Sequence, residues 1–240
     1  MVQAIIWDYD GTLVDTRRKN LEVTKEIMRE VTGNSIEVYE ALQSLDQYQA
    51  ANEDSANWRA LYKTYFRLSG AQIDEAGTLW KEYQARNETE VSLFHNIRLV
   101  LKNLSDFRHG IVSQNAKGNI ASYLAKQDLS LYFSTLIGYE EIDYDQQKPD
   151  PTGLLRCIQK LTNFEEGSVV YIGDHETDSQ CAYLANQKLK KSGRGPRVFS
   201  IAALYGVTTD TENWKYKPNF EAHDPKDISL IVSQLENTKD

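Results

Sequence analysis

Two cysteines, Cys157 and Cys181, are all the thiol chemistry that 240 residues carry. So few exclude a disulfide scaffold, and the pair reads as buried thiols of a reducing compartment. Positive charge is also short: 27 Lys and Arg stand against 35 Asp and Glu, a net charge of −8. That balance argues against non-specific binding to nucleic acid or to an acidic membrane. An anionic substrate would therefore need a metal, or individually placed Lys and Arg. No run approaches about 18 apolar residues, so no transmembrane helix is expected. The first residues show no basic region followed by a long apolar stretch, and a cytoplasmic location is expected. Internal repeats and low-complexity segments are missing as well. What remains is a globular composition, 40% hydrophobic and 26% charged, long enough for one large domain or a domain with an insertion. Oligomeric state is left open.

The most informative stretch is Ile5-Ile6-Trp7-Asp8-Tyr9-Asp10-Gly11-Thr12-Leu13-Val14-Asp15. An apolar run ends in two aspartates one residue apart. On a strand, alternate side chains share a face, so Asp8 and Asp10 point the same way. Two such carboxylates repel unless a cation joins them or one keeps its proton. Gly11 then permits a sharp turn. The carboxyl end of a strand is where open α/β sheets bind ligands. Taken alone, the segment also fits a plain strand and an Asp-rich turn, with Asp15 capping the next helix.

Texture divides the chain. After a first strand at 3–7, residues 16 to 90 are helical in pattern. Leu21, Ile27, Met28 and Val31 share one face. Ala56, Trp58, Leu61, Tyr62, Tyr65 and Phe66 share another, and Ile73, Ala76, Leu79, Trp80 and Tyr83 a third. Gly33 and Gly70 mark helix ends. From about 95 onward, short apolar strands at 110–114, 134–138, 168–174 and 197–201 alternate with helices at about 96–106, 117–127, 151–162 and 175–187. That alternation predicts a parallel sheet covered on both faces, an α/β core from 1–15 and 95–240 with residues 16–94 inserted.

Three further signals fall at carboxyl ends of the expected strands. Ser113 offers a hydroxyl, and the backbone N–H groups after it, to a phosphate oxygen, though a serine there is usually a turn residue. Lys148, in Gln147-Lys148-Pro149-Asp150-Pro151, sits in a loop stiffened by prolines. Asp174 and Asp178, in Gly173-Asp174-His175-Glu176-Thr177-Asp178, stand four apart at a helix start, where acids also serve the helix dipole.

Together Asp8/Asp10, Ser113, Lys148 and Asp174/Asp178 resemble, in order, the four motifs of the haloacid dehalogenase-like superfamily. The resemblance covers residues 1–15 and about 95–235, and the intervening residues resemble its helical cap. It implies a Rossmann-like parallel sheet with strand order 5-4-1-2-3, the Asp8 strand central. The implied activity is Mg²⁺-dependent hydrolysis of a small phosphorylated metabolite through an aspartyl-phosphate, similar to phosphoglycolate phosphatase. Asp8 would be the nucleophile and Asp10 the general acid and base. Asp8, the Asp10 main-chain carbonyl and Asp174 would hold Mg²⁺, an all-oxygen set suited to that ion. Ser113, Gln114 and Lys148 would bind the phosphoryl group, and Asp178 would orient Lys148 or a bound water.

The family's dehalogenases lack an acid at the Asp10 position, so phosphotransfer fits better. Lys19, beside Arg17 and Arg18, is an ordinary exposed charge rather than a Schiff-base lysine. Sugar-phosphate mutases resembling beta-phosphoglucomutase remain an alternative, although Arg17-Arg18-Lys19-Asn20 lacks the cap histidine such enzymes carry. A non-catalytic binding protein on the same fold is a third reading. Two departures stand out: Gln114-Asn115 follows Ser113, where a small residue or asparagine is usual, and His175-Glu176-Thr177 replaces smaller residues. His175 reads as a helix-start surface histidine, and His95, His109 and His223 as structural or exposed. Arg59, Lys63 and Arg67, at four-residue spacing, predict one basic helix face. The five Lys and Arg of Lys188 to Arg197 read as a solvated helix end and loop. Trp58, Tyr62 and Tyr65 read as core.

Overall fold

A computed structural model describes residues 1–55, 57–206 and 210–237. Ala56, placed above on a helical face, lies outside them. The chain forms two compact units, one of Met1–Val14 with Leu93–Asp240 and the other of Asp15–Ser92.

In chain order the elements are β1 (Val2–Trp7), β2 (Val14–Asp15), α1 (Arg17–Thr32), α2 (Leu45–Glu53), α3 (Trp58–Thr64), α4 (Gly70–Arg86) and β3 (Ser92–Leu93). Then follow α5 (Ile97–Asn103), β4 (Arg108–Val112), α6 (Lys117–Lys126), β5 (Phe133–Ile137), α7 (Thr152–Thr162) and β6 (Ser168–Gly173). The last are α8 (Glu176–Ser192), β7 (Arg197–Ala203), β8 (Phe220–Ala222) and α9 (Pro225–Asn237). Short 3-10 turns punctuate the loops.

The larger unit carries a parallel sheet in the order β5-β4-β1-β6-β7-β8. The Asp8 strand lies inside it, and the first five strands follow the expected order. β8 is an addition that its three residues, Phe-Glu-Ala, are too short to announce. One face of the sheet, through Ala4, Ile6, Val112, Val169, Tyr171 and Val198, packs on α7 and α8. Cys157 and Cys181 are buried in this layer, and both are free thiols. The pleat turns Ile5 and Trp7 to the opposite face. Both are fully buried, and α9 lies against β1 and packs on α5. Burial on both faces explains why β1 and β6 are near-continuous apolar runs.

Behind the site strand, Trp7 Nε1 donates to His109 Nδ1 at 3.0 Å, which leaves His109 Nε2 to donate to the Leu104 carbonyl at 2.8 Å. The ring is buried, and burial holds its pKa below the ordinary histidine value. The unfolded chain therefore protonates first as pH falls. This histidine's contribution is whole above about pH 6.5 and is lost as pH drops through its folded value. Glutamine can both accept from Trp7 and donate to Leu104. Denaturant midpoints across pH 5 to 8 should show wild type losing up to about 1.4 kcal/mol per pH unit relative to His109→Gln below 6.5. Parallel curves would disprove this account.

The smaller unit is helical, with a core from Leu21, Ile27 and Met28 of α1, Tyr48 of α2, Leu61 and Tyr62 of α3, and Ile73, Ala76 and Tyr83 of α4. Trp58 and Tyr65 pack against that core, as read from spacing. Gly33 closes α1 in the left-handed region, whereas Gly70 opens α4 behind a Ser69/Gln72 capping box. Arg67 departs from its expected helix face: α3 ends at Thr64, and Arg67 has a φ of 56°. Asp15 does not cap α1; Thr16 holds that position, while Asp15 accepts from the Arg17 backbone and guanidinium.

Candidate active site

Sheet register brings the motifs together. Trp7 pairs with Ile111 on one side and Ile172 on the other, so Asp8, Ser113 and Asp174 emerge at adjacent strand tips. Asp8 stays tied to the sheet by its N–H, which donates to the Ile172 carbonyl at 2.7 Å. Ser113 and Asp174 each lie just beyond their strands rather than ending them.

At the centre, Lys148 Nζ lies 2.7 Å from Asp8 Oδ1 and 2.8 Å from Asp178 Oδ1. All three side chains are buried, with 7%, 12% and 5% of their surfaces exposed. Burial pushes the Asp8 carboxyl up to about 7, against the downward pull of Lys148; Asp178 and Asp10 add to the rise. The two carboxylates outweigh the desolvation of Lys148 and hold its ammonium more firmly protonated than a free lysine. Asp178 accepts also from Tyr171 Oη at 2.9 Å and from the His175 N–H at 3.3 Å. These donors fix its carboxylate.

Asp174 stands beside this group, its Oδ1 3.4 Å from Thr12 Oγ1. Burial, then Asp8 and Asp178, push its carboxyl well above the usual range. Its neighbour across the site is Gly11, at φ 75°, whose missing Cβ would lie 2.0 Å from Asp174 Oδ2. Any side chain at 11 would displace that carboxylate. Gly173 does the same for Asp178, which a Cβ would meet at 2.2 Å. Asp8, Asp174 and Asp178 each present an oxygen within 4.8 Å of the others. This all-oxygen, anion-rich cluster fits a hard divalent cation.

Asp10 lies on the other flank. Asn115 Nδ2 donates to both of its carboxylate oxygens at 3.1 Å, and Ser113 Oγ lies 3.5 Å from Oδ2. The Gln114 side chain is exposed and reaches the Lys148 carbonyl at 3.5 Å.

The model of the haloacid dehalogenase-like hydrolase family matches residues 5–189. The chain belongs to this family. It is 24% identical over 236 residues to a protein named pyrophosphatase PpaX from Oceanobacillus iheyensis, covering 96% of this chain and 97% of the relative. Among solved structures, a predicted phosphatase from Clostridium acetobutylicum superposes with a TM-score of 0.75 at 18% identity, covering 98% and 99% of the two chains. A predicted phosphoglycolate phosphatase from Haemophilus somnus gives 0.70 at 16% identity, covering 96% and 98%. At such identities these structures speak for the fold.

Within this haloacid dehalogenase-like hydrolase, the residues carrying the sequence motifs all lie in the larger unit. Two neighbours of the site went unassigned by motif reading. Tyr171 was hidden inside an apolar strand, although a fully buried hydroxyl needs a partner. Asn115 was visible only as a departure after Ser113. His175 caps α8 through its own ring, accepting from the Thr177 N–H at 3.2 Å. In the basic segment, Lys188 pairs with Asp150, while Arg194 and Arg197 lie over Phe164 and Phe199. Arg59 pairs with Asp74.

Proposed function

We propose that the protein is a phosphatase of small phosphorylated metabolites, dependent on a divalent cation of the Mg²⁺ type and working through an aspartyl-phosphate. The observation that carries this is the buried Asp8–Lys148–Asp178 arrangement beside Asp174: a nucleophile, a fixed cation and spare anionic oxygens at the carboxyl end of the sheet.

Asp8 and Asp174, with the Asp10 main-chain carbonyl, would hold the ion; it would screen their charge from an incoming phosphate. Asp178 is committed to Lys148, Tyr171 and the His175 N–H, which suits it to orienting the lysine instead. An Asp8 oxygen attacks phosphorus as the bond to the leaving oxygen breaks, and Asp10 supplies the proton that oxygen takes. Asp10 then removes a proton from water as that water displaces Asp8, releasing inorganic phosphate. Lys148 and Ser113 steady the phosphoryl oxygens, with Gln114 contributing beside them. The helical unit Asp15–Ser92 would correspond to the family's helical cap.

Retention of Asp8, Asp10, Lys148 and Asp174 speaks against a binding protein, and the absence of a histidine in Arg17–Asn20 speaks against a mutase. A second reading, hydrolysis of a phosphoanhydride, draws on the full-length likeness to proteins named pyrophosphatase PpaX.

The test is phosphate release from phosphoglycolate, pyrophosphate, sugar phosphates and p-nitrophenyl phosphate. One of them should reach a kcat/KM of about 10⁴ M⁻¹s⁻¹ with Mg²⁺ and lose it in EDTA. Release that survives exhaustive chelation would remove the metal from the reading; no release from any substrate would overturn it. Thermal melting supplies a second readout. Protons compete with the cation for Asp8, so Mg²⁺ should stabilise more at pH 8 than at pH 5. At about a hundred times Kd the gain should be ~5–10 °C.

A further inference from the structure

We infer that Asn115 is a positioning residue that sets the orientation of the Asp10 carboxylate, an inference that rests on the phosphatase reading above. An amide can face either way, and here its direction is fixed from behind. Asn115 Oδ1 accepts from the Ala116 N–H at 2.8 Å and from Asn119 Nδ2 at 3.3 Å. Its Nδ2 is thereby turned to Asp10, where it meets both oxygens at 3.1 Å. The backbone is held too: the Asn115 N–H donates to Ser113 Oγ at 3.1 Å, and its carbonyl accepts from the Tyr139 N–H at 3.2 Å. Two equal contacts to one carboxylate set its plane as well as its position. Aligning the oxygen that gives and takes a proton is a geometric requirement of general acid–base catalysis. Asn115 thus acts through Asp10, not on the phosphoryl group.

Two substitutions separate this role from simple support of the Ala116 N–H. Asn115→Asp keeps an oxygen for the Ala116 N–H but sets a second carboxylate against Asp10. Asn115→Ala removes both functions. With Mg²⁺ and an alkyl phosphate, both variants should lose about 10- to 100-fold in kcat, with KM within about twofold of wild type. With p-nitrophenyl phosphate, whose leaving group needs little protonation, both should give a burst of about one nitrophenol per enzyme, then slow turnover. Crystal structures of both variants should show the Asp10 carboxylate rotated from its wild-type plane. Three results would overturn the inference: near-native kcat in Asn115→Asp, a raised KM at unchanged kcat, or an unmoved Asp10 carboxylate. The structural readout stands whatever substrate the enzyme prefers. Absence of phosphate release by the wild type would instead count against the phosphatase reading.

Discussion

Replacing Asp8 with asparagine should lower turnover by at least about 10⁴-fold and leave the fold intact. A carboxamide is a poor nucleophile and a weaker ligand for a hard cation. The fold should survive because Lys148 keeps Asp178, and because the lost carboxylate is one that burial already pushes up to about 7. Asp10→Asn makes the contrast. It retains the main-chain carbonyl but loses proton transfer, a contribution of roughly 10²–10⁴-fold. With p-nitrophenyl phosphate this variant should still form phosphoenzyme and hydrolyse it slowly, so that the label can be trapped on Asp8. Near-native turnover in Asp8→Asn, or label on Ser113, would mean that another group attacks phosphorus.

Lys148→Ala should produce the largest loss of stability of any substitution at the site. It leaves Asp8 and Asp178 buried without their shared cation. Removing one partner from a buried ion pair costs about 3–5 kcal/mol, or a fall of roughly 6–20 °C in melting temperature for a chain of this size. The sign with pH follows from the carboxylates. Protonation relieves the repulsion, so the metal-free variant should be closest to wild type near pH 5 and furthest from it at pH 8. Pairing Lys148→Met with Asp178→Asn removes a cation and an anion together and should recover much of the loss. A melting temperature for Lys148→Ala within 2 °C of wild type would mean the lysine does not hold the carboxylates in place.

The sheet was legible because its strands are buried on both faces and read as apolar runs; β8 was not, because three residues carry no period. Helix ends were less legible than helices. Nothing in the spacing of Arg59, Lys63 and Arg67 reveals that α3 stops at Thr64 and drops Arg67 from the row. In the site, residues whose chemistry shows in their type stood out: paired aspartates, and a lysine between prolines. Asn115 and Tyr171 did not. Their significance lies in what they touch, and a neutral amide or a strand tyrosine says nothing of its partner until the sheet register has been drawn.

Cys157 and Cys181 also make the molecule its own recorder. Both thiols belong to α7 and α8 and lie buried where those helices pack on the sheet, and burial pushes both far from the range in which a thiolate forms. A thiol reagent added to the native protein has nothing to attack until that layer parts. Its rate of reaction therefore clocks the opening of the very packing that steadies β1 and β6. Slowing of that clock by phosphate or Mg²⁺ would report, without any introduced label, how firmly an occupied site holds the sheet beneath it.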